Sequence, residues 1–251
     1  MTKKKLWIFA GGGLLVVSIG LLYWFYFSTP VTLPADEQLI NDIHQVFPEA
    51  TVDVIQDKIY ADERHAIVPF ISERNEYGLS YWVWGKYKWQ VASIDLDGEP
   101  RVWKIDQRDP STYHFVWNLS PVDQLSTLQL YLIRDRGYLI SDEEEIYNPR
   151  VQMEWIASLQ ESSYGVMPLP EEGVNVLNSL FKGQATQQSS LFFENFSPAQ
   201  EVFFSWIAKD QLGNEAYPEI SVNGSSYTVG DITVDYMLIF SEEQLELPGR
   251  K

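Results

Sequence analysis

The chain has 251 residues, with 35 acidic against 18 basic side chains, a formal charge of −17 and no cysteine. The missing thiols exclude disulfides, cysteine nucleophiles and thiolate metal sites. So acidic a surface repels phosphate backbones, which argues against nucleic acid as a partner, and it repels anionic lipid headgroups from the bulk of a folded domain.

Lys3, Lys4 and Lys5 precede an uncharged apolar run from Leu6 to Phe27. At ~1.5 Å per residue a helix over this run is about 33 Å long, enough for a bilayer core of about 30 Å. A helix also satisfies its own backbone in hydrocarbon. Tyr23, Trp24, Phe25 and Tyr26 cluster at the far end, where such rings favour the headgroup layer, and the lysines at the near end place the N-terminus in the cytoplasm. The sequence thus predicts a cytoplasmic tail over residues 1–5, a transmembrane signal anchor over 6–27 and a short stiff stalk with two prolines over 28–35. The remainder is expected outside the cell membrane. A cleaved signal peptide shares the basic start, but its apolar core is shorter, and Phe27 or Leu33 stands where cleavage needs a small residue. Four residues beyond Gly11, Gly12 and Gly13 stand Leu15, Val16 and Val17, so a small-residue dimerisation face is not read there. The lack of cysteine fits a Gram-positive cell envelope, where the three Asn-x-Ser matches at Asn118, Asn195 and Asn223 carry no meaning.

Residues 36–147 read as an α+β extracytoplasmic domain. Asp36 is placed to cap a helix with Leu39, Ile40, Ile43, Val46 and Phe47 on one face, and Pro48 ends it. Short apolar strands follow, with Pro69 marking an edge or a bulge. Tyr87, Trp89 and Val91 alternate with Lys88 and Gln90; after a turn at Asp97-Gly98, Trp103 and Ile105 alternate with Val102 and Lys104. Tyr113, Phe115 and Trp117 share one face of a further strand, and another strand breaks or turns at Arg136-Gly137. The acidic run Asp142–Glu145 reads as a solvated loop before a boundary at Asn148-Pro149.

Residues 148–251 read as a second, β-rich, sandwich-like domain. Strands are expected in MEWIASL, SLFFENF, EVFFSWIAKD, EISVNG, SSYTV and ITVDYMLIF, with a hairpin at Asn223-Gly224 and one helix in LPEEGVNVLNSLFKG capped by Gly183. The fold class is therefore α+β: a transmembrane helix, a helix-plus-antiparallel-sheet domain, then a sandwich-like domain.

Chemistry is thinly signalled. His44, His65 and His114 lie outside metal-ligand spacing, and no nucleophile elbow or phosphate loop occurs; Ser162-Ser163-Tyr164-Gly165 lacks the flanking residues such an elbow needs. Asp95, Asp97 and Glu99 around Gly98 faintly resemble a calcium loop, but further ligands are missing and a hairpin turn accounts for Asp97-Gly98. No catalytic, metal or cofactor site is expected. Aromatic residues from Tyr81 to Trp117 crowd into one stretch of sheet, and most of them are expected in a core. Tyr81 and Trp82 point to opposite faces, so both can be buried if the sheet is covered on both sides. Trp82 and Trp84, with Tyr81, are the candidates for an exposed binding set. The expected function is a non-enzymatic interaction or accessory subunit at the bacterial envelope with a protein partner. The alternatives are a cell-wall glycan binder using those aromatics and, behind it, an unrecognised hydrolase.

Overall fold

The computed structural model describes residues 12–20, 29–141, 144–187, 202–222 and 224–246. Residues 12–20 are helical, and Leu14, Leu15, Val16, Val17 and Ile19 on them are exposed. Among the described residues no helix is long and apolar enough to cross a membrane; the rest of the run 6–27 lies outside them.

The expected stalk is fastened to the body. Trp89 Nε1 donates to Val31 O across 2.7 Å, Leu33 N–H to Tyr60 Oη across 2.9 Å and Lys58 Nζ to Pro34 O across 2.8 Å. Leu33 is buried. Helix α1, Asp36–Val46, follows directly. Ala35, not Asp36, stands at its N-cap, and no side chain caps it; Asp36 falls in the first turn, where its charge suits the helix dipole, and pairs with Lys58 at 2.7 Å. Phe47 N–H closes on Ile43 O, and Pro48 opens a 3-10 turn. Leu39 and Ile43, one helical turn apart, are fully buried, and each such side chain contributes about 1.5–3 kcal/mol by burial.

The strands are β1 Val52–Ile55, β2 Ile59–Tyr60, β3 His65–Ser72, β4 Tyr77–Gly85, β5 Lys88–Asp95, β6 Arg101–Lys104, β7 Tyr113–Asn118 and β8 Leu125–Arg134. They continue as β9 Gly137–Ser141, β10 Glu144–Asn148, β11 Val151–Ser158, β12 Tyr164–Pro168, β13 Val202–Asp210, β14 Ser226–Thr228, β15 Thr233–Tyr236 and β16 Leu238–Ile239; helix α2, Glu171–Gln187, lies between β12 and β13. The first sheet runs β1-β3-β4-β5-β14 with β2 also on β3, the second β12-β7-β6-β15 and the third β11-β8-β13-β16. The pairings are antiparallel except β13 with β16. Hairpin β9–β10 keeps the register of β8–β11 past the break at Asp135-Arg136.

These sheets stack face to face. Leu39 and Ile43 of α1 cover Val68, Phe70, Trp82 and Trp84 on the first sheet. Its other face, with Ile67, Leu79 and Tyr81, meets Trp103 and Val116 of the second sheet. The far face of the second sheet, Tyr113, Phe115 and Trp117, packs on Leu130, Leu132, Phe204 and Trp206 of the third, with Leu177 of α2 at the same core. Leu245 and Phe240 then lie over Tyr131, Ile133 and Ile207 on the outside. Every residue of β7 is buried, as a strand covered on both faces must be.

Several expectations are corrected by this architecture. Strand pairing crosses the boundary placed at 147/148: β12 joins β7, β11 and β13 flank β8, β14 joins β5 and β15 joins β6. Alternation reveals which residues are strand, but long-range register decides which strands share a sheet. Pro69 does not make β3 an edge. It lies between Phe70, opposite Ile55 of β1, and Ile67, opposite Ile59 of β2, and its carbonyl accepts from Gln56 N–H, so the missing N–H falls where that partner edge is interrupted. Asp97-Gly98 is no hairpin, because β5 and β6 belong to different sheets. Glu144 and Glu145 are in β10, paired to Ser141 and Ile140, not in a loop; Asp142 and Glu143 lie outside the described residues. Gly183 is inside α2, which continues to Gln187. Residues 219–222 form no strand, while Asn223 and SLFFENF lie outside the described residues.

Candidate functional site

The three residues expected to form a binding surface are all interior. Tyr81 and Trp82 are 0% exposed and Trp84 is 5% exposed. Trp82 and Trp84 face α1, where Trp82 Nε1 donates to Ser80 Oγ at 2.9 Å and Trp84 packs edge-on to Trp89. Tyr81 faces the second sheet, edge-on to Trp103. The exposed-aromatic reading of Tyr81, Trp82 and Trp84 is thus overturned by the double covering of the first sheet.

What Tyr81 meets instead is a buried ion cluster at the crossing between the first two sheets. A bulge makes it. Tyr81 pairs with Ser93 but Trp82 with Val91, leaving Ala92 as the extra residue of β5, whose carbonyl accepts from Val229 and Gly230 N–H. Beyond this bulge the alternation of β5 flips, so Ile94 and Leu96 turn toward α1 and Asp95 turns inward. Arg101 Nη2 donates to Asp97 Oδ1 at 2.6 Å and stands 3.4 Å from Glu99 Oε1. The guanidinium lies under the Tyr236 ring, 3.4 Å from its centroid. Burial pulls the Arg101 pKa down, but Asp97 and Asp95 outweigh it and hold it above its ordinary value. Burial raises Asp95 against the pull of Arg101, and burial with Asp97 raises Glu99. The Tyr81 hydroxyl is pushed well above 10, first by burial and then by Asp95. Neither Tyr81 Oη nor Asp95 Oδ2 makes a well-formed hydrogen bond. Among the described residues no group of three or more His, Cys, Asp or Glu is arranged to hold a metal ion.

The same crossing leads into an open cleft. Gly98 N–H donates to Ser221 O and Asn118 N–H to Gly98 O, while Asn118 Nδ2 donates to Gly78 O at 2.8 Å and Gln56 Oε1 at 2.7 Å. One residue on from Asn118 begins a cleft of about 800 Å³ lined by residues 119–121, 124–126, 159–164 and 211. Buried Leu119 and Leu159 are its apolar floor. Ser126 Oγ donates to Lys209 O, Ser162 Oγ donates to Tyr164 O, and Ser120 Oγ accepts from Val122 N–H, so these hydroxyls hold the walls. Gln124, Gln160, Glu161, Ser163, Tyr164 and Gln211 are the cleft's other polar residues, beside Pro121 and Leu125. Among the described residues Glu161 is the one ionisable carboxylate of that lining and no basic residue joins it. Its chemistry suits a neutral ligand that both donates and accepts hydrogen bonds.

The histidines lie elsewhere. His65 Nδ1 stands 2.8 Å from Asp62, where burial works against the Asp62 carboxylate but His65 and the Arg64 amide lower its pKa. Burial lowers His114 despite its hydrogen bond to Thr112 O. Arg101 escaped the sequence reading, although its signal was present: it shares a strand face with Trp103, so alternation turns a charge inward near three acidic residues. The cleft had no local signal, because its walls come from segments some 35 to 90 positions apart in sequence. No family model, curated protein or solved structure matches the chain.

Proposed function

We propose that the chain is a single-pass, membrane-anchored extracytoplasmic protein of the bacterial envelope that acts as an accessory or scaffold subunit, binding a partner at its membrane-distal end. In this reading residues 6–27 span the membrane, the N-terminus is cytoplasmic, and the stacked sheets stand outside. The observation that carries it is the polarity of the body. The segment following the apolar run is fastened beside Trp89 at one end of β4–β5, and the cleft opens beyond Asn118 at the other end. The nine residues of β4 separate the two by about 26 Å at ~3.3 Å per residue.

The test is cross-linking in cells from a photoreactive residue at Gln211, with the full-length chain recovered from solubilised membranes. A recurrent protein adduct, lost when the photoreactive residue is moved to Val54, is the expected result. A chain extracted by alkaline carbonate removes the anchor from the reading, and an adduct pattern independent of position removes the cleft. The lining of the cleft favours one second reading, a neutral glycan in place of a protein; saturable binding of a wall oligosaccharide weakened by Gln160→Ala and Gln211→Ala would establish it.

A further inference from the structure

The β4–β5 turn carries two features that the fold does not need. It is a two-residue hairpin, Gly85 pairing with Lys88, and its central residues Lys86 and Tyr87 have φ of 53° and 66°. Asn-Gly adopts that pair of positive φ values readily, whereas side-chain-bearing lysine and tyrosine are disfavoured there. The turn also concentrates positive charge, Lys86 and Lys88 both exposed, in a chain of charge −17.

Its position supplies the partner. Trp89, next to Lys88, donates to Val31 O, and its ring meets Tyr60 edge-on at 5.9 Å. Val31 is 63% and Tyr60 46% exposed on this end. Four residue steps separate Val31 from Phe27, the last residue of the apolar run, at most about 14 Å of extended chain. If that run is in a bilayer, the turn stands at headgroup depth.

Resting on the anchored reading above, we propose that the Lys86-Tyr87-Lys88 turn, flanked by Tyr60 and Val31, docks on the anionic headgroups of the bilayer that holds the anchor, and so stands the body upright with its cleft facing away. The two lysines meet lipid phosphates, and Tyr60 and Val31 meet the interfacial layer that suits amphipathic and apolar side chains. The negative charge of the whole chain does not forbid this. At physiological salt, screening over about 8 Å leaves the nearest charges to decide. Asp36 is paired to Lys58 on this end and Asp62 to His65, and with Glu37, Asp57 and Glu63 they are the counter-charges that Lys86 and Lys88, beside Arg64, must outweigh.

The chain has no cysteine, so one can be added for labelling. Full-length Glu63→Cys and Leu212→Cys proteins, each carrying an environment-sensitive dye, are reconstituted in phosphatidylcholine vesicles with or without phosphatidylglycerol, and quenching by headgroup-spin-labelled lipid is read. Glu63 is exposed on the loop before β3, at the Gly85 end of β4, and its replacement leaves both lysines in place. Leu212 is the distal control, 86% exposed beside the cleft residue Gln211. Docking predicts quenching at position 63 that rises with anionic lipid and falls with salt, and none at 212. Each lysine near such a surface is worth roughly fivefold in docked population, so adding Lys86→Gln and Lys88→Gln to the labelled Glu63→Cys chain cancels the dependence on anionic lipid. A chain that floats with vesicles through alkaline carbonate yet shows equal quenching at 63 in both lipids overturns docking alone. A chain that does not float overturns the anchor and docking together.

Discussion

Arg101 and Asp97 are joined across 2.6 Å with side chains only 2% and 3% exposed, at the point where the chain leaves the first sheet for the second. A buried pair adds little net stability, because desolvation offsets the attraction, but removing one partner strands the other. Arg101→Met leaves Asp97 and Asp95 without their cation and is expected to cost about 3–5 kcal/mol. Arg101→Met with Asp97→Leu is expected to cost less than Arg101→Met alone. Urea unfolding of the four proteins of this cycle measures it, and strict additivity would mean the pair does not act as a unit.

The shifted carboxyls of this crossing and the distant His114 act with opposite signs. Asp95 and Glu99 are raised above their ordinary 3.8 and 4.5. The folded state therefore holds those protons more tightly; the stability they contribute is complete below the ordinary values and is lost as pH rises through the folded ones. His114 is lowered below 6.5, so the unfolded chain takes its proton first, and stability falls as pH drops below 6.5 toward the folded value. Urea midpoints between about pH 4 and about pH 8 should show His114→Asn flattening the loss that begins near 6.5. Asp95→Asn should gain on the parent as pH rises above 3.8. A constant offset for either variant at every pH would contradict its assignment.

Trp82 and Trp84 show how far the sequence can be read. Alternation correctly assigns Trp82 and Tyr81 to opposite faces, and the expected helix does cover Trp82. What alternation cannot supply is the second cover, because the second sheet on the Tyr81 side is assembled from β12, β7, β6 and β15, strands that lie up to 130 residues apart. The same limit hid the cleft, and it explains why Asp97-Gly98 looked like a hairpin when it is a crossing. Trp82→Ala is therefore expected to act on stability, by about 3–5 kcal/mol for a fully buried ring, and not selectively on ligand binding. A Trp82→Ala protein with parental thermal stability would refute this placement.

Glycine carries the crossing by absence of a side chain. A Cβ on Gly98 would stand 1.6 Å from Asn118 O and 2.8 Å from Tyr77 O, both backbone atoms that cannot turn aside. Gly98→Ala should cost about 4 kcal/mol or more, the range of the most disruptive single changes. Gly213 offers the contrast. It has open space but a φ of 83°, so Gly213→Ala should cost only about 1–2 kcal/mol, the left-handed backbone preference alone. Thermal unfolding of both separates steric overlap from torsional preference, and equal losses would show that Gly98 is not closely packed.

The turn at Lys86 and Tyr87 sets stability against membrane contact. Left-handed backbone costs a side-chain-bearing residue about 1–2 kcal/mol per position, and Lys86 and Tyr87 both occupy that region. Lys86→Asn with Tyr87→Gly supplies the pair that a type I′ turn favours, so this double variant should be more stable than the parent by about 1–2 kcal/mol. It also removes one of the two tip lysines and the tyrosine between them. The variant should consequently melt higher while binding anionic vesicles less well, the direction expected when a site retains strain for the side chains it presents. Lys86→Asn alone keeps Tyr87 in place and divides the two effects: most of the lost docking, with only part of the gain in stability. A double variant that docks as the parent does would show that the turn is held by local packing and presents nothing to the bilayer.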